Sequence, residues 1–173
     1  MKIKVLFCSL LFIMAISNAD AQEKASTLLE NAIAKAKKEN KKVFVMYHAS
    51  WCKWCKLMEK NMEDASVKPF FDKSYVTIFL TVNERGDKKN LENPGAIDLL
   101  KQSKAENSGI PFWQIYDVDG KVLADAFDSK GQNLGCPATE SEVAEFTSKL
   151  KKTSKLTEKD RKNIAALFVE KQK

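Results

Sequence analysis

Residues 43–58 read VFVMYHASWCKWCKLM. The first five are an unbroken apolar, largely β-branched and aromatic run. From Cys52 onward the pattern changes, with Cys55, Met58 and Met62 repeating at i, i+3 and i+7 on one face of a helix. A short apolar run without polar alternation is a strand covered on both faces. The chain must therefore leave a buried strand and enter a helix within a few residues, with two cysteines at the junction. That restricts it to α/β architectures.

The flanking segments agree. Ala25 to Glu39 carries Leu28, Leu29, Ala32, Ile33 and Ala36 at helical spacing with lysines between them. YVTIFLTVN, Tyr75 to Asn83, predicts a second strand. The charged stretch from Glu84 to Asn93 has no apolar period and predicts a surface loop. Pro94 to Ala105 predicts a short helix opened by proline. Phe112 to Asp117 and Lys121 to Phe127 predict a hairpin turning at Asp119-Gly120. Thr139 and Glu142 have capping-box spacing ahead of Val143, Phe146 and Leu150, and Thr157 to Lys171 predicts a last amphipathic helix. The expectation is a central mixed sheet of about four strands flanked by helices, with one N-terminal helix and an extra C-terminal one.

The chain has 173 residues. Lys2 and Lys4, an apolar stretch from Val5 to Ile16, and Ala19-Asp20-Ala21 form the pattern of an export signal, too short to span a bilayer as a helix. Residues 1–21 are expected to be a signal peptide, and 22–173 a single domain with its core at about 41–150 and a helical extension at 157–171. The expected location is periplasmic or secreted, without membrane integration after cleavage. The formal charge of +6 is interspersed with acidic residues, with no basic stripe carrying aromatics, which argues against a nucleic-acid partner.

Export leaves Cys52, Cys55 and Cys136 where disulfides persist. A three-residue spacing is a poor staple, since it closes a very small loop. Zinc is open by arithmetic, with His48 as a fourth ligand, but structural zinc uses paired knuckles and a second CxxC is absent. At a helix start, free N–H groups and the positive end of the dipole stabilise a thiolate at Cys52, and Lys53 adds a cation. Cys55, one turn on, faces inward. The expected roles are Cys52 as an exposed nucleophile and Cys55 as the resolving thiol, the pair itself carrying the electrons with no metal or organic cofactor.

From Lys41 to Leu150 the sequence resembles the thioredoxin superfamily. The resemblance rests on Trp51-Cys52-Lys53-Trp54-Cys55, on Gly109-Ile110-Pro111 ahead of a strand, and on Asp119-Gly120. It is most similar to secreted or periplasmic thioredoxin-like thiol–disulfide oxidoreductases. The resemblance implies a thioredoxin fold, a cis peptide before Pro111 packed on the cysteine pair, and a substrate chain docking along Ile110 and Pro111. It also implies that the loop holding Cys136 lines the same groove. Two departures stand out. Met46 occupies the place of the family's buried aspartate, leaving Glu59, His48 or water to carry the proton of Cys55. Lys53-Trp54 replaces Gly-Pro and retunes the pair.

Trp51 is read as a substrate platform, Trp54 as either platform or core cap, Trp113 as core, and His48 as satisfied by local backbone. Cys136 is read as a small buried side chain, with a third redox thiol as the alternative. The expected function is disulfide exchange with protein substrates, in the reducing direction, together with a redox partner that recycles the pair. The alternatives are a non-catalytic binding module and a copper- or zinc-handling protein.

Overall fold

A computed structural model of the protein describes residues 22–169. The expected signal peptide and the last residues of the expected C-terminal helix lie outside them. Six α-helices and four strands follow in order: α1 Ala25–Glu39, β1 Lys42–His48, α2 Lys53–Met62, α3 Lys68–Ser74, β2 Tyr75–Thr81, α4 Ala96–Gln102, β3 Phe112–Tyr116, β4 Val122–Asp125, α5 Glu140–Thr153 and α6 Glu158–Phe168. A 3₁₀ helix spans Gly86–Leu91.

The sheet order is β2-β1-β3-β4, with β1 parallel to β2, antiparallel to β3, and β3 antiparallel to β4. β1 and β3 are central, which is why Val43–Tyr47 and the whole of Phe112–Tyr116 are buried. β4 forms an edge and is short and partly exposed, as an unpaired edge strand must be. On one face Phe44 stacks on Trp113 at 5.8 Å, Trp113 meets Phe146 at 5.1 Å, and Phe146 meets Phe168 at 5.6 Å. This aromatic column gives the C-terminal extension its purpose: α6 buries Ile164 and Phe168 against α5 and so closes the core over Trp113. Each such ring contributes about 2–3 kcal/mol through burial.

A polar side chain inside β3 has partners for both its oxygen and its nitrogen. Gln114 Oε1 accepts from Tyr47 at 3.0 Å and Tyr116 at 2.9 Å, and its amide donates to Ser103 at 2.7 Å. Such a network holds its partners in one arrangement, because any unpaired member would be costly.

Three expectations are corrected. Helix α3 was absent from the sequence reading, because seven residues opened by Lys68-Pro69 are too few to display a period. The helix expected from Pro94 begins at Ala96, since Gly95 sits at φ 84°. The charged stretch expected to be plain loop contains the 3₁₀ helix, and its ends are tied to the sheet: Asn93 donates its N–H to Thr81 O at 3.0 Å and accepts the Thr81 N–H at 2.7 Å.

Candidate functional site

At the end of β1 the chain turns tightly, with the Cys52 N–H donating to Ala49 O at 3.0 Å. Cys52 is then the N-cap of α2, its backbone extended and its sulfur accepting the Cys55 N–H at 3.1 Å. A sulfur in the capping position takes the place of the usual hydroxyl or carboxylate oxygen and meets N–H groups left unpaired by the helix. Cys52 and Cys55 are joined as a disulfide. Lys53, the first helical residue, and Lys56 are exposed.

The expected asymmetry in exposure is present but small. Cys55 is 0 % exposed, but Cys52 is only 4 % exposed, so the expectation of an open sulfur is corrected. The reason is packing: in the disulfide, Cys55 covers one side of the Cys52 sulfur, and the carbonyl oxygen of Ile110 lies 3.6 Å away on another. The Ile110–Pro111 peptide bond is cis. Pro111 is buried and Ile110 half-buried at the rim.

The segment carrying Pro111 is fastened from behind. Asn133 spreads its amide over the carbonyls of Ser108, Gly109 and Pro111 at 3.0, 3.2 and 3.0 Å, and its Oδ1 accepts the Gly135 N–H at 2.9 Å. Gly135 has φ 56°, and a Cβ there would stand 3.8 Å from Pro111 O. The Trp113 indole donates to Gly135 O at 3.1 Å. The loop before α5 thus lies against Pro111, and Cys136 within it is buried.

On the other flank, residues 83–85 hold residues 50–51. The Trp51 indole donates to Asn83 O at 2.8 Å, and the Arg85 guanidinium lies 3.9 Å from the centre of the Trp51 ring. Glu84, 2 % exposed, accepts the Ser50 N–H and, at 2.8 Å, the Ser50 hydroxyl. Lys88 donates to the same hydroxyl at 3.5 Å. Burial pushes the Glu84 carboxyl up, but the two Ser50 hydrogen bonds, with Lys88 and His48 nearby, outweigh it and hold the group below its ordinary value. Sequence reasoning missed Ser50, Glu84 and Asn133. Their only signal was a carboxylate and an amide placed in loops.

Trp51 and Trp54 are 40 % and 47 % exposed, so Trp54 is no core cap, whereas Trp113 is fully buried. His48 is not held by backbone. Its Nδ1 lies 2.7 Å from Glu59 Oε1 and its Nε2 3.3 Å from Thr81 Oγ1. The carboxylate fixes Nδ1 as the protonated nitrogen. Glu59 follows Cys55 by one helical turn, so the carboxylate that holds His48 shares a helix face with Cys55. Met46, two residues before His48 on β1, points to the same side of the sheet. The ligand set open in the sequence, Cys52, Cys55, His48 and Cys136, is not gathered: among the described residues no three of His, Cys, Asp and Glu converge to hold a metal ion.

Chemically, the site offers a sulfur pair that gains or loses two electrons without a cofactor, the Cys55 N–H aimed at the Cys52 sulfur, and the Ile110 carbonyl beside it.

No curated protein matches the chain. Among solved structures, a disulphide isomerase from Xylella fastidiosa Temecula1 is similar, with 18% identity over 92% of this chain and 96% of that one at TM-score 0.51. A structure described as DsbH oxidoreductase shares 23% identity over 79% of this chain and 85% of its own at TM-score 0.47. At these identities the first supports the fold and nothing finer. A family model described as Thioredox_DsbH, protein of unknown function, DUF255, matches residues 19–169. With the four-stranded mixed sheet and the cysteine pair at the head of α2, that match, which takes in every described residue, places the chain in the thioredoxin-like DsbH/DUF255 family.

Proposed function

We propose that this protein is an exported thiol–disulfide oxidoreductase that reduces disulfides in protein substrates. The observation that carries the reading is the placement of the Cys52 sulfur between the Cys55 N–H at 3.1 Å and the Ile110 carbonyl at 3.6 Å. In the reduced protein, the helix-end N–H group stabilises Cys52 as a thiolate. That thiolate attacks one sulfur of a substrate disulfide, and the other substrate sulfur leaves as a thiolate. The Cys55 thiolate then attacks the Cys52 sulfur, releasing the second substrate thiol and closing the Cys52–Cys55 disulfide. Two electrons have passed to the substrate, and a dithiol redox partner restores them.

Cys55 is out of contact with solvent, so its proton leaves through a neighbouring group. The His48–Glu59 pair occupies the same face and serves as acceptor in place of the aspartate that Met46 replaces. Ile110 and Pro111 form the edge along which the substrate chain lies, and exposed Trp51 and Trp54 flank it. Reduction as the direction follows from the resemblance, in which an apolar residue such as Ile110 precedes the proline. Periplasmic or secreted location follows from the expected signal peptide.

The test is reduction of insulin by dithiothreitol in the presence of the protein. The wild type accelerates it and Cys52→Ser does not. Equal rates would leave only a binding module.

A further inference from the structure

The strap between β2 and α4 has no part in the electron transfer just described, yet it is fastened to the cysteine loop more firmly than a connection requires. Residues 83, 84 and 85 each contact Ser50 or Trp51, and the Glu84 N–H is itself held by Glu92 at 2.7 Å. The carboxylates of the strap are turned to this internal work. Glu84 is buried on Ser50, and Glu92 is shared between the Glu84 N–H and Lys89 at 2.8 Å. Two of its cations are not. Arg85 lies over the exposed Trp51 ring and Lys88 reaches Ser50, both exposed. Among the described residues neither forms an ion pair. Asp87 is the one exposed strap carboxylate left against them.

We propose that the Asn83–Glu92 strap is a second wall of the substrate groove and that Arg85 and Lys88 select protein segments carrying acidic side chains next to the reacting cysteine. The inference rests on the oxidoreductase reading above and names its substrate class. A guanidinium stacked on an indole keeps its outward N–H donors and presents them in a fixed plane, an arrangement suited to a carboxylate. The contacts of Arg85 with Trp51 and of Lys88 with Ser50 hold both charges against the two residues that precede Cys52. Opposite charges so placed raise the encounter rate and orient the incoming disulfide, an effect that fades with salt.

The experiment uses the pre-reduced protein and three cysteine peptides of one length, each activated as a 2-thiopyridyl mixed disulfide with glutamates, glutamines or lysines flanking the cysteine. Attack by the Cys52 thiolate forms the Cys52–peptide disulfide and releases 2-thiopyridone. Cys55 then displaces the peptide thiol and leaves the protein oxidised. Released thiopyridone gives the second-order rate constant. The acidic peptide is expected to react about three- to tenfold faster than the glutamine peptide at low ionic strength, and the basic one slower by a similar factor. Added salt compresses the series, and the double variant Arg85→Glu, Lys88→Glu inverts it, each rate being taken relative to the glutamine peptide on the same variant. The neutral pair Arg85→Gln, Lys88→Gln abolishes the preference without introducing repulsion. Equal rates for the three peptides, or a preference that both double variants retain, would overturn the proposal. Failure of all three peptides to react would overturn the oxidoreductase reading instead.

Discussion

Glu84→Ala removes a buried carboxylate that accepts both the N–H and the hydroxyl of Ser50. Hydrogen bonds to a charged acceptor are worth about 1.5–3 kcal/mol each. Ser50 is half-buried, so water regains part of the loss, and the expected cost is about 2–4 kcal/mol. For a domain of this size that lowers Tm by about 5–12 °C. Glu84→Gln retains one good acceptor and should cost about half as much. Acid adds a second arm. The folded carboxyl titrates below its ordinary 4.5 because the Ser50 bonds outweigh burial, so its contribution is complete above that value and disappears as pH falls through the lower, folded one. Urea denaturation across that acid range should therefore show wild type losing more stability than Glu84→Gln, every other carboxylate being common to both. A loss below about 0.5 kcal/mol for Glu84→Ala, within the range of an ordinary surface substitution, with parallel acid profiles, would refute the view of residues 83–85 as a clasp.

Two further outcomes concern the opposite wall and the order of steps. Asn133→Ala leaves the carbonyls of Ser108, Gly109 and Pro111 and the Gly135 N–H without their shared partner, and should cost about 2–3 kcal/mol by thermal unfolding while raising the KM for a protein disulfide. An unchanged KM would detach this loop from the groove. Cys55→Ser should accumulate a mixed disulfide on Cys52 that mass spectrometry detects. Accumulation on Cys136 instead would reassign the nucleophile.

The junction of strand and helix was legible because two hydrophobic periods meet at Cys52, and local chemistry there decides the fold. The hairpin was legible for the same reason: Gly120 takes φ 80° and the Asp117 N–H donates to Lys121 O at 2.9 Å, interactions confined to five residues. What escaped depends on partners distant in sequence. Glu84 and Ser50 are separated by 34 positions, and Glu84 lies in a charged run whose composition resembles any solvated loop. His48 was expected to rest on backbone, since nothing in β1 reveals that α2 will lay Glu59 across it. The near-burial of Cys52 was equally hidden, because the carbonyl beside its sulfur comes from Ile110, 58 residues away. Local pattern therefore located the sulfur pair, whereas the walls around it are a product of tertiary packing.

The central claim is that Cys52, once released from Cys55, is the reactive thiolate at the head of α2. The most direct measurement is the rate of iodoacetamide alkylation of the fully reduced protein as a function of pH, with the modified cysteine identified by mass spectrometry. Cys52 should react first, with a midpoint below the ~8.5 of an ordinary cysteine. A Cys52 that stays unmodified in the folded protein, or that titrates at or above that value, would contradict the account.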